Sequence, residues 1–240
     1  TVLKIHEASY RHCTACGYLH ADRPYWLEQA YTSAIARADT GLVARNLAIA
    51  DKLKVVLPAF FDMRGRFLDL AGGTGLLVRL MRDVGFDYHW EDAYCQNLHA
   101  AGFEASADER DFEASTAFEA VEHMEDPMAF ISGALARTKT RTLIFSTELH
   151  GGSPPPLDWW YYTFNTGQHI AFFSRHTLEQ IGQRLGCRLV SARGIHILSA
   201  KTISERKFDF ALRHLRAHYH RQLRHTLTSR TDGDHRALLG

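Results

Sequence analysis

The chain has 240 residues, 45% of them hydrophobic and 23% charged, with a formal net charge of +1. That length and composition allow one sizeable core with a small appendage. They leave no global field for nucleic acid, and no apolar run approaches the roughly 20 residues a membrane span needs.

In chain order, residues 1–31 form a first zone with Cys13-x-x-Cys16 and an aromatic patch of Tyr18, Tyr25, Trp26 and Tyr31. With Cys95 and Cys187 these thiols are too scattered for a disulfide framework, so a cytoplasmic setting is expected. The start at Thr1 lacks an initiator Met and a signal-peptide layout, and reads as one domain of a longer protein. The main domain would then occupy 32–200. Its first part, 32–63, is expected as a helical cap, because Leu42, Leu47, Ile49, Leu53, Val56 and Phe60 recur at three- and four-residue spacings.

From there, short apolar runs alternate with helical stretches, the pattern of a doubly wound α/β sheet. Strands are expected at 66–70, 87–91, 103–106, 112–118 and 141–147, with two more between 187 and 199 split near Gly194. Helices are expected at 76–84, 94–101 and 127–137, the last opening on Pro127, and at 175–185 behind a Ser174 cap. The expected architecture is thus a mostly parallel seven-stranded, Rossmann-like sheet with an N-terminal helical cap and a C-terminal helix. Residues 201–240 read as a basic helical tail or linker. Phe208, Leu212, Leu215, Tyr219 and Leu223 share one face among Arg213, Arg216, Arg221 and Arg224. That basic face also allows peripheral contact with an anionic membrane.

The run Asp69-Leu70-Ala71-Gly72-Gly73-Thr74-Gly75 follows an expected strand and opens a helix. Its small residues let the backbone turn tightly and approach a ligand, while the helix start presents free N–H groups. Dinucleotides and S-adenosylmethionine both use that geometry. A dinucleotide fingerprint needs a third glycine, and Val78 and Leu76 occupy that position in the two registers. Both registers fail, which disfavours a nicotinamide-dependent oxidoreductase.

The pattern resembles motif I of class I S-adenosylmethionine-dependent methyltransferases, an acid followed by small-x-Gly-x-Gly. Asp69 matches the acid, and Ala71, Gly73 and Gly75 match the small positions. Ala71 stands where glycine is usual, and its methyl group is expected to be accommodated at negative φ. The resemblance implies that the turn, Gly72 and Thr74 included, contacts the methionine part of the cofactor. It also implies that Asp92, at the end of the second strand, binds the ribose hydroxyls, with Glu91 as the fallback. A carboxylate suits a vicinal diol because it offers two acceptor oxygens.

The segment Phe118-Glu119-Ala120-Val121-Glu122-His123-Met124-Glu125-Asp126-Pro127 is similar to the loop after the fourth strand in the small-molecule branch. By that resemblance Phe118 and Glu119 lie beside the cofactor. His123 is a candidate base or a loop-fixing residue with Glu122. The aromatic segment Trp159-Trp160-Tyr161-Tyr162, followed by Gln168 and His169, is expected as a rigid wall for a polar ring substrate, or as an apolar plug. His169 is the preferred base for an acceptor hydroxyl, and Glu148 a candidate to orient substrate or base.

Taken together, Cys13-x-x-Cys16-Gly17, the stretches 24–31, 39–46, 80–87 and 92–98, and Gly167-Gln168-His169 resemble one bacterial subfamily of small methyltransferases. Its genes commonly lie near those for surface polysaccharide or specialised metabolites. The resemblance implies methylation of a small-molecule substrate, a polar metabolite such as a sugar, without fixing the acceptor; a hydroxyl is favoured over carbon or nitrogen acceptors and over an inactive scaffold role. In that group the Cys pair is half of a zinc ribbon. Cys13 and Cys16 are therefore candidate metal ligands, although four-coordinate structural zinc needs four.

Overall fold

The computed structural model describes residues 1–32 and 39–240. In chain order it contains β1 (Tyr10–His12), β2 (Leu19–Ala21), α1 (Leu27–Ala30), α2 (Leu42–Phe60), β3 (Arg66–Leu70), α3 (Leu76–Val84) and β4 (Asp87–Glu91). Then come β5 (Phe112–Ala117), α4 (Pro127–Ala136), β6 (Thr142–Phe145), β7 (Leu149–His150), β8 (Ala171–Ser174) and α5 (Arg175–Arg184). The chain ends with β9 (Arg188–Ala192), β10 (Ile195–Ser199), α6 (Glu205–His214), α7 (Arg216–Thr226) and α8 (Thr231–Leu239).

The main sheet has six strands in the order β4-β3-β5-β6-β10-β9. β4, β3, β5 and β6 run parallel, and β10 is antiparallel to both β6 and β9. The order reverses between β3 and β5, which opens a ligand crevice at the strands' carboxyl ends. One apolar layer, with Leu53, Leu57, Phe67, Val78, Met81 and Phe208, covers one face. A second, with Leu68, Phe112, Ile131, Leu143, Phe145 and Leu178, covers the other.

Two expectations fail beside β4. The expected seventh strand, 103–106, is reduced to a single parallel bridge between Trp90 and Glu104. The expected helix 94–101 is absent. Asp92 Oδ1 accepts the N–H groups of Tyr94 and Cys95 at 2.7 and 2.8 Å, and Asn97 Oδ1 accepts that of Ala100 at 2.9 Å. The Thr74 carbonyl takes those of Leu98 and His99. Short polar side chains thus compete successfully for the donors a helix would use. The expected cap 32–63 is helical over Leu42–Phe60, while its residues 33–38 lie outside the described residues.

A second sheet, β1-β2-β8-β7, ties the Cys-x-x-Cys hairpin to a strand from the second half of the chain. Behind β8, Ser174 caps α5 in a reciprocal capping box with Thr177. The segment after 201 is three helices, not one. Phe208 and Leu223 are buried in the main core. Asp234 of α8 accepts from Arg82 at 2.7 and 2.8 Å and from Arg79 at 2.9 Å. No helix among the described residues is long and apolar enough to cross a membrane.

Candidate active site

The glycine turn closes the carboxyl end of β3. Ala71, Gly73 and Gly75 have φ of +54°, +56° and +81°. Ala71 therefore does not sit at negative φ; it occupies the left-handed region at a cost of about 1 kcal/mol. The turn is held from β4: Gly72 N–H donates to the Glu91 carbonyl, and Trp90 Nε1 donates to that of Gly73 at 2.9 Å. The Gly73 N–H donates to Asp92 Oδ2 at 2.9 Å. A side chain at Gly72 would strike Trp90, and one at Gly75 would strike Asn97 and Ala100. At Gly73 a side chain would meet nothing within 4 Å, so this residue faces open space.

Asp69 lies beneath the turn and accepts from Thr116 Oγ1 at 2.6 Å. Burial pushes its carboxyl up to about 7, with the Thr116 hydrogen bond pulling the other way. Asp92 uses three acceptor positions on backbone N–H groups, and a carboxylate has about four. Glu91 is turned away into an ion pair with Arg137 at 2.7 Å.

Beyond the carboxyl end of β5, Glu119 Oε1 accepts from Ser146 Oγ at 2.5 Å, while Phe118 packs against the main core. Glu122 is fully buried, and its Oε1 accepts from Tyr161 at 2.6 Å. Burial, reinforced by Glu119, raises this carboxyl to about 8. The His123 and His169 rings meet edge to face with centroids 4.8 Å apart. Burial lowers both, His169 to about 4 and His123 to about 3, so each ring is neutral at ordinary pH. The Tyr161 carbonyl opposes the shift in His169, and the Gln168 carbonyl that in His123. His169 Nδ1 donates to the Tyr161 carbonyl at 2.7 Å, which leaves Nε2 with its lone pair.

Aromatic contacts join turn and histidines. Tyr94, two residues after Asp92, stacks on Tyr31 with centroids 5.6 Å apart. The Tyr31 hydroxyl lies 3.0 Å from His123 Nδ1. Arg45, paired with Asp39 at 2.6 Å, brings the charge of α2 to bear on Glu119, Glu122 and His169. Sequence reasoning had Tyr31 only in an aromatic patch, and missed Tyr94 and Arg45 as site residues. The available signals were Tyr94's position just after the acid and the family-like stretches 24–31, 39–46 and 92–98 that contain the three residues.

Other predicted residues are dispersed. Of the four expected wall aromatics, Tyr161 and Tyr162 are buried, and Trp159 packs on them within one apolar cluster. Trp160 points to solvent. The Gln168 amide donates to the Ala30 carbonyl at 3.0 Å, anchoring α1. Glu148 is exposed. Cys13 and Cys16 sit between β1 and β2, and among the described residues no set of three candidate metal ligands includes them.

A family model described as a methyltransferase domain matches residues 43–192. The chain belongs to this methyltransferase family. No curated protein matches it by sequence. An O-methyltransferase family 2 protein from Planctomyces limnophilus, solved with apigenin, shares the fold at 14% identity and a TM-score of 0.50. That match covers 74% of this chain and 69% of the other. A methyltransferase from Thermotoga maritima aligns at 13% identity and a TM-score of 0.48, over 67% of this chain and 92% of its own. Human N-acetylserotonin methyltransferase, in complex with S-adenosylmethionine, aligns at 13% identity and 0.46, over 66% and 51%.

Proposed function

We propose that this methyltransferase uses S-adenosylmethionine to methylate a hydroxyl of a polar small molecule, with a sugar or saccharide-related metabolite as the acceptor. The observation that carries the acceptor reading is the neutral His169, its Nδ1 committed to the Tyr161 carbonyl and its Nε2 unprotonated. The open face of Gly73 and the remaining acceptor capacity of Asp92 support the cofactor side. When bound, the cofactor supplies an electrophilic methyl group. Ala71, Gly72, Gly73, Thr74 and Gly75 would hold its methionine part, and Asp92 its ribose.

The chain's own residues then position the acceptor and receive its proton. His169 Nε2 takes the hydroxyl proton as the oxygen becomes nucleophilic, and the Tyr161 carbonyl stabilises the imidazolium through Nδ1–H. Buried Tyr161 forms a fixed wall behind the histidine, and holding the reactants together contributes much of the rate. Calorimetry with S-adenosylmethionine and S-adenosylhomocysteine tests the cofactor, and mass analysis of monosaccharides and nucleotide sugars incubated with labelled cofactor tests the acceptor. Failure to bind either sulfur nucleotide overturns the reading. Transfer only to amines or carbon acids removes its hydroxyl part.

A further inference from the structure

Glu122, His123 and His169 each offer one ligand atom, and these atoms lie within 4.8 Å of one another. They form the one such group of three or more His, Cys, Asp or Glu residues among the described residues. Two features distinguish this cluster from a packed loop. First, Glu122 Oε2 is buried and has no hydrogen-bond partner, although its sister oxygen is held by Tyr161 at 2.6 Å. A buried carboxyl oxygen with no partner is costly, and a cation is one group that satisfies it. Second, each ligand is braced from behind. His169 Nδ1 donates to the Tyr161 carbonyl, and His123 Nδ1 is 3.0 Å from the Tyr31 hydroxyl, which can accept its N–H. His169 Nε2 is then left with its lone pair, and bracing through the other ring nitrogen is what orients a histidine ligand around a metal.

We propose that Glu122, His123 and His169 bind one divalent transition-metal ion, of the zinc and iron(II) class, which in turn holds the acceptor hydroxyl. Two imidazoles and one carboxylate suit such ions rather than magnesium or calcium, and they leave coordination positions open. A hydroxyl bound there gives up its proton more readily. Its O–H bond breaks, the proton passes to water, and the electron pair stays on the metal-held oxygen as the nucleophile. This rests on reading the crevice as the acceptor site, and in the metal-loaded enzyme it makes His169 a ligand rather than the proton acceptor.

The test is titration of chelator-treated full-length protein with Co2+ and Zn2+, without cofactor or acceptor, so that its outcome is independent of methyl transfer. The expected result is one ion per chain, with a Co2+ spectrum lacking thiolate charge-transfer bands and unchanged in a Cys13→Ser/Cys16→Ser variant. Glu122→Gln, which keeps the Tyr161 hydrogen bond, and His169→Asn should abolish stoichiometric binding while circular dichroism stays native. Tyr161→Phe, which frees the braced oxygen, should weaken affinity by about 10- to 100-fold. No binding, thiolate bands alone, or binding untouched by Glu122→Gln overturns the proposal.

Discussion

The two halves of the crevice use opposite physics. The turn at Ala71 to Gly75 is held by backbone groups and presents a bare glycine to open space. The side around His169 is made of ionisable side chains stripped of water, with one carboxyl raised and two imidazoles lowered. A cofactor shared by many enzymes can be bound through main-chain shape, which tolerates sequence change. Proton removal from an acceptor needs side chains whose charge state the surroundings set.

The largest effect that separates the halves is expected at His169. His169→Ala should lower turnover by about 10²- to 10⁴-fold and leave cofactor affinity unchanged in calorimetry; retained turnover removes it from the chemistry. Next, Asp92→Ala should weaken cofactor binding by about 1.5–3 kcal/mol, the scale of lost hydrogen bonds to a charged group. Since Asp92 also holds Gly73, Tyr94 and Cys95, hydrogen exchange at those amides should rise in the same variant. Unchanged affinity would break the assignment of the ribose site.

A smaller effect tests whether the backbone half carries hidden titration. The Asp69 carboxyl is raised from 3.8 to about 7. The native state therefore holds the proton more tightly than the unfolded chain. The contribution is fully present below about pH 3.8 and is lost as pH rises through about 7. Asp69→Asn should flatten chemical-denaturation stability over that window by up to about 1.4 kcal/mol per pH unit; an unaltered slope would show that Asp69 ionises normally. Smallest of all, Ala71→Gly should raise stability by about 1 kcal/mol through relief of the left-handed φ. A loss of stability there would mean that chain entropy outweighs the strain.

Much of the backbone half is legible without coordinates. β3, the turn, α3 and β4 are contiguous, and their apolar runs and glycines state local geometry directly. Ala71 is the exception, because a residue's identity does not reveal its φ. The helix expected at 94–101 fails for a related reason: periodicity registers the apolar residues but not the capture of backbone donors by Asp92 and Asn97. The side-chain half is scarcely legible. Tyr31, Glu122, His123 and His169 come from segments far apart in sequence, and nothing local says that His123 and His169 meet.

By itself, then, the sequence determined the family fold, the glycine turn with its acidic partner, and the Ser174 cap, because each is written in neighbouring residues or a regular period. Tertiary structure decided the six-stranded sheet, the pairing of β2 with β8, and the burial of Tyr161 with Trp160 left in solvent. It also decided that Glu122, His123 and His169 share one site. Desolvation and long-range contact set those outcomes, and both depend on what the chain brings together rather than on what lies next along it.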